Sequence, residues 1–106
     1  MGLFDMIKGP DINQGVREYR RLRRAMLVDL RGKADYESGH LPGARNIPMA
    51  RLEAIVESAI HDKNMPIFLY CYKGRMSASA AKILQKKGYT DVHNIGGVNK
   101  YTGILE

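Results

Sequence analysis

The chain holds one cysteine, Cys71, and its surroundings are odd for a thiol that only fills a core. It directly follows the apolar run Ile67 to Tyr70 and opens the stretch Cys71-Tyr72-Lys73-Gly74-Arg75-Met76-Ser77. A free thiol is only a few per cent thiolate at neutral pH, and the thiolate is the nucleophile. The residues after Cys71 favour charged sulfur. Lys73 and Arg75 place two cations within four residues of it. Gly74 can adopt positive φ, which lets successive backbone N–H groups converge on one concavity. The helix predicted behind the loop turns unpaired N–H groups and its positive dipole end toward the same place. A lone cysteine is commonly core filler, but a core thiol has no use for an anion nest. The pattern points to sulfur attacking an anionic substrate.

Other side chains could do chemistry, and each has a simpler role. Asp29 and Arg31 leave the carboxyl end of a second apolar run, where a structural ion pair would brace the Cys71 loop from the neighbouring strand. A cysteine hydrolase would need a histidine base, and His40, His61 and His93 are available. His40 stands in a glycine-rich turn that it would order by hydrogen bonding, His61 ends a surface helix, and His93 lies in a predicted strand. No two of them have metal-ligand spacing with Cys71, so neither a metal nor a cofactor is expected.

These residues need elements to position them. Ala25 to Leu30, Ala44 to Pro48, Ile67 to Tyr70 and Val92 to Ile95 read as short strands, the last broken by Gly96-Gly97. In Leu52 to His61 the apolar residues recur at helical spacing. A second helix runs from Ser77 to Lys87, with Ala80, Ile83 and Leu84 inward, and Gly88 supplies its stop. Ahead of the first strand, Val16, Tyr19 and Leu22 define one helix side, and Arg17, Arg20, Arg21 and Arg24 define the other. Apolar strands without alternation, separated by helices, argue for an α/β fold with a mainly parallel sheet covered on both faces. Ligands in such sheets collect beyond the carboxyl ends of the strands, the edge that should carry Asp29, Arg31 and Cys71.

The 106 residues suit a single domain, 44% hydrophobic and 26% charged, with a net charge of +6. One cysteine cannot form an internal disulfide. A free thiol suits a reducing compartment, so a cytoplasmic location is expected. The opening Met1 to Pro10 lacks the apolar run of a signal peptide, and Met6 stands where a myristoylation motif wants Ser or Thr. No stretch is long enough for a membrane span. The net charge favours anionic partners. The arginine face would suit an acidic protein, although a solvated helix surface explains it as well. Nucleic acid is not expected, because no stacking aromatics are interleaved with those arginines.

Taken together, the motifs resemble the rhodanese-like single-domain sulfurtransferases. Cys71 to Ser77 is similar to that family's six-residue active loop and the residue opening its helix. Asp29 to Pro48 is similar to its Asp-x-Arg segment, its acidic-aromatic pair (Asp35-Tyr36) and its Gly-His-x-Pro-Gly-Ala turn. Asn94 to Tyr101 carries the late double glycine, with Tyr101 where the family often has Trp. The resemblance spans about residues 25 to 101 and is weak over residues 1 to 24. It implies a small twisted sheet of about five strands with helices on both faces.

It also implies a persulfide cycle. Cys71 would take sulfane sulfur from thiosulfate or a similar small anionic donor and pass it to cyanide or a thiol. Tyr72, Lys73, Gly74, Arg75, Met76 and Ser77 would contact the substrate, and Asp29 and Arg31 would support the loop. The alternative is a sulfur-relay or binding module of the same fold without appreciable thiosulfate turnover. Phosphatases and arsenate reductases of this fold use a Cys-x5-Arg loop, which requires Arg at position 77. Ser77 stands there, and Arg75 falls too early.

Overall fold

The computed structural model describes residues 9–106. The lipidation reading, and all but Gly9 and Pro10 of the leader reading, fall on residues 1–8, outside the described residues. Ten residues ahead of the sheet form α1 (Ile12–Arg21). The strands are β1 (Met26–Asp29), β2 (Arg45–Asn46), β3 (Ile67–Cys71) and β4 (Val92–Gly97). The remaining helices are α2 (Lys33–Ser38), α3 (Leu52–Ala59) and α4 (Arg75–Lys86), with single 3-10 turns at Met49–Arg51 and Val98–Lys100.

All neighbouring strands pair in parallel, in the order β2-β1-β3-β4. Four strands form among the described residues rather than about five. The chain ahead of β1 is taken up by α1, whose apolar side covers a sheet face instead of extending the edge. β3 shows why its sequence is continuously apolar. Ile67, Leu69 and Cys71 pack with Val56, Ala80 and Leu84 on the side of α3 and α4. Phe68 and Tyr70 pack with Ile12, Val16 and Ile95 on the side of α1. All five β3 residues are buried, because neither face meets water.

Local chemistry sets the helix limits. Asp11 caps α1 by accepting from the N–H groups of Asn13 (2.9 Å) and Gln14 (3.3 Å). Gly15 lets α1 approach β4 so closely that a Cβ there would collide with Ile95. α1 stops at Arg21, so Leu22 is extended and 44% exposed rather than on the buried side. The expected arginine face is therefore broken: Arg24 lies beyond the helix and pairs with Asp62 at 2.6 Å. At the other end of the fold, α4 closes on Gly88 as its sequence predicts. The Tyr89 N–H reaches the Leu84 carbonyl and the Gly88 N–H reaches Gln85, both at 3.1 Å. The Tyr89 hydroxyl then donates to Ile60 at 2.6 Å, tying α4 to the end of α3.

Three further boundaries differ from the sequence expectation. α2 occupies a stretch to which the sequence reading assigns no element; it buries none of its residues and so leaves no apolar periodicity. α4 starts at Arg75, two residues early, because Gly74 caps it in the left-handed region. β4 runs through Gly96-Gly97 instead of breaking there, with a register shift opposite Leu69 and Tyr70.

Candidate functional site

Cys71 is the last residue of β3 and is 2% exposed. The chain turns immediately at residues 72–74 and enters α4. Gly74 makes that turn at φ +99°, a conformation any Cβ would strain. Its N–H then donates to Cys71 Sγ at 3.0 Å. Lys73 and Arg75 flank Gly74 on the solvent side of the loop, both exposed. Tyr72 (55% exposed) and Met76 (38%) complete the open rim. Ser77 lies elsewhere: it is fully buried in the first turn of α4, with Oγ 3.7 Å from the sulfur.

The loop rests on β4, and this accounts for the double glycine. A Cβ on Gly97 would lie 2.6 Å from Lys73 Cα, and one on Gly74 would lie 3.3 Å from the Gly96 backbone. The Asn99 N–H donates to the Tyr72 carbonyl at 3.1 Å. An open cleft of about 870 Å³ adjoins the loop, with Asp11, Asn13, Lys73, Arg75, Asn94 and Lys100 in its wall. Gly74 also lines it, one hydrogen bond from the sulfur. Three cations against one carboxylate make that wall favourable to an anion.

Sequence reasoning misses Asn94 as a site residue. Its Oδ1 is 2.6 Å from Ser77 Oγ and accepts the Gly96 N–H at 3.0 Å. A single Asn in a strand gives no periodic signal; only the parallel register of β3 and β4 brings it beside the Cys71 loop.

Asp29 and Arg31 form a buried ion pair. Arg31 Nη2 donates to Asp29 Oδ2 at 2.8 Å and to the Gly39 carbonyl at 2.6 Å. The Tyr70 hydroxyl donates to the same carboxylate at 2.7 Å and accepts the Leu41 N–H at 3.0 Å. Hydrogen bonding to Asp29 holds Arg31 above its ordinary value, and burial raises Tyr70. The network thus reaches Tyr70, next to Cys71 in sequence but on the opposite sheet face, and the Gly39–Leu41 turn. Among the described residues, no side-chain hydrogen bond joins the pair to residues 72–77.

The histidines stand apart from the sulfur. His40 stacks on Tyr36 at 3.8 Å and bonds the Tyr36 carbonyl through Nδ1. His93 stacks on Phe68 at 4.6 Å and pairs with Asp91. His61 is exposed just past α3. None is hydrogen-bonded to Cys71.

A strand-end cysteine, a glycine-capped turn and a supporting glycine pair are one arrangement, and a profile of the rhodanese-like domain matches residues 14–103. The chain belongs to the rhodanese-like family. The protein YqhL of Bacillus subtilis is 40% identical over 85 residues, covering 79% of this chain and 66% of that one. This chain therefore spans just under two thirds of that relative's length. The Escherichia coli protein named thiosulfate sulfurtransferase PspE is 39% identical over 71 residues, 67% of this chain and 68% of its own. Among solved structures, a rhodanese with anions from E. coli superposes with a TM-score of 0.71 at 34% identity. That match covers 77% of this chain and 96% of the other. The rhodanese match extends back into α1, which the sequence motifs support only weakly. In this rhodanese-like chain Tyr101 stands where the family often has Trp. It packs into the cluster around Phe68 and Tyr70.

Proposed function

We propose that this chain is a sulfurtransferase that carries sulfane sulfur on Cys71. The thiolate attacks the outer sulfur of thiosulfate or a similar dianionic donor. A bond forms between Sγ and that sulfur, the donor's S–S bond breaks, and its electron pair leaves with sulfite. Cys71 is left as a persulfide anion. A thiolate or cyanide then takes the terminal sulfur and returns Cys71 to thiolate. This is covalent catalysis in two half-reactions, with ping-pong kinetics.

The observation that carries the reading is the Gly74 N–H donating to Sγ at 3.0 Å from a loop flanked by Lys73 and Arg75. A fixed N–H donor stabilises anionic sulfur without reorganising during the reaction. The two cations meet the oxyanion end of the donor, and the guanidinium of Arg75 can hold two oxygens at once. With the sulfur ionised, no general base is required. The names of relatives such as PspE support the same reading. The test is sulfite release from thiosulfate with cyanide or a dithiol as acceptor. Turnover should occur and should vanish in Cys71→Ser. Persistence of turnover in that variant would overturn the mechanism.

A further inference from the structure

The hydrogen-bond pattern beneath the sulfur fixes where a single proton sits. A backbone N–H can only donate, so the Asn94 side-chain atom facing the Gly96 N–H at 3.0 Å must be the acceptor Oδ1. That same oxygen is 2.6 Å from Ser77 Oγ. Two oxygens at that separation need a proton between them, and only the Ser77 hydroxyl has one. The Gly74 carbonyl, 3.0 Å from Oγ, cannot take the same proton. Ser77 therefore turns lone pairs toward Cys71, 3.7 Å away, where they accept from an S–H. The neutral thiol is satisfied on both sides, donating to Ser77 and accepting from Gly74. The charged sulfur is not. It keeps the Gly74 N–H but faces Ser77 lone pairs until the hydroxyl rotates away from Asn94.

We propose that Asn94 is a positioning residue for the sulfur chemistry. While the Ser77 hydroxyl donates to Asn94, the Gly74 N–H is the one donor on the sulfur among the described residues. When the sulfur is charged, the hydroxyl turns from Asn94 and donates a hydrogen bond to it. The orientation of Asn94 is fixed by the Gly96 N–H at 3.0 Å, at the β4 irregularity. Asn94 touches neither the sulfur nor the donor in this scheme and acts only through Ser77.

The inference rests on Cys71 being the reacting group. Its test reads the sulfur directly, so failure of thiosulfate turnover leaves the result free to decide. Alkylation of the intact protein by iodoacetamide is followed at one near-neutral pH, together with the ultraviolet absorbance of the thiolate. Asn94→Ala frees the Ser77 hydroxyl, which then has the Gly74 carbonyl at 3.0 Å and the sulfur at 3.7 Å as acceptors and turns to the sulfur when it is charged. Alkylation should accelerate about three- to tenfold, a hydrogen bond to charged sulfur gained in place of a neutral one to the Gly74 carbonyl, and thiolate absorbance should rise. Asn94→Asp keeps the acceptor and adds a negative charge, so both signals should fall below wild type. In a Ser77→Ala background, Asn94→Ala should change neither signal. A merely structural Asn94 would give losses of the same sign in both substitutions, whatever stands at position 77. An unchanged or slower rate in folded Asn94→Ala, or an equal acceleration in the Ser77→Ala background, overturns the proposal. Should Asn94→Ala fail to fold, Asn94→Leu, of similar volume and without an acceptor, takes its place with the same expected gain, and an unchanged or slower rate overturns the proposal.

Discussion

Arg75 and Lys73 are exposed at the rim of the loop, so their value lies in what they attract. Exposed ion pairs within a fold contribute little to stability, but a dianion held by a guanidinium fork gains charge-assisted hydrogen bonds. Arg75→Ala should lower kcat/KM for thiosulfate by about tenfold or more and leave the second half-reaction less affected. Added salt should slow the wild type more than the variant, because screening acts on the charge that was removed. Steady-state kinetics at two ionic strengths checks this, and an unchanged donor constant would assign anion holding to the backbone alone. At this scale the sequence is informative where chemistry and order coincide. Cys71, Lys73, Gly74 and Arg75 lie within five positions, so their juxtaposition is visible without a fold. Asn94 meets Ser77 only through a register 17 residues away in the chain, and no local pattern announces it.

The elements hold the loop by close backbone approach at Gly74 and Gly97, with the Ser77–Asn94 side-chain bond beside it. Gly97 is the sharpest case, since its φ is ordinary (−118°) and the constraint is space alone. Gly97→Ala must push the loop off β4. It should cost about 1–3 kcal/mol, as overpacking does, with a lower Tm and a disproportionate loss of turnover. Wild-type turnover in that variant would mean the loop position is not critical. On the opposite face, Arg31→Ala would strand the fully buried Asp29 carboxylate without its partner. A loss of about 3–5 kcal/mol is expected, measured by denaturant unfolding. The parallel sheet is legible because β3 is apolar on both faces, and α3 and α4 because their buried residues recur at helical spacing. α2 is not legible, since it buries nothing, and the start of α4 is misread because its cap is a left-handed glycine without a side chain.

At the scale of the whole molecule, surface charge pairs link distant segments. Hydrogen bonds from Lys63 and then Lys87 lower Glu57 below its ordinary value, and Arg24 does the same to Asp62. A carboxylate depressed in the folded state stabilises fully above its unfolded value, and the gain is lost as pH falls through the folded one. Glu57→Gln should therefore unfold at a lower temperature than wild type near neutrality, and the gap should close under acid. A gap constant with pH would show that the pairs do not contribute through charge. The net charge of +6 draws anions to the molecule but does not say which one reacts. The claim that matters is that sulfur comes to rest on Cys71. Intact-mass measurement after thiosulfate treatment tests it most directly. The wild-type protein should gain one sulfur atom, reversed by a reductant and absent in Cys71→Ser. An unaltered wild-type mass would contradict it.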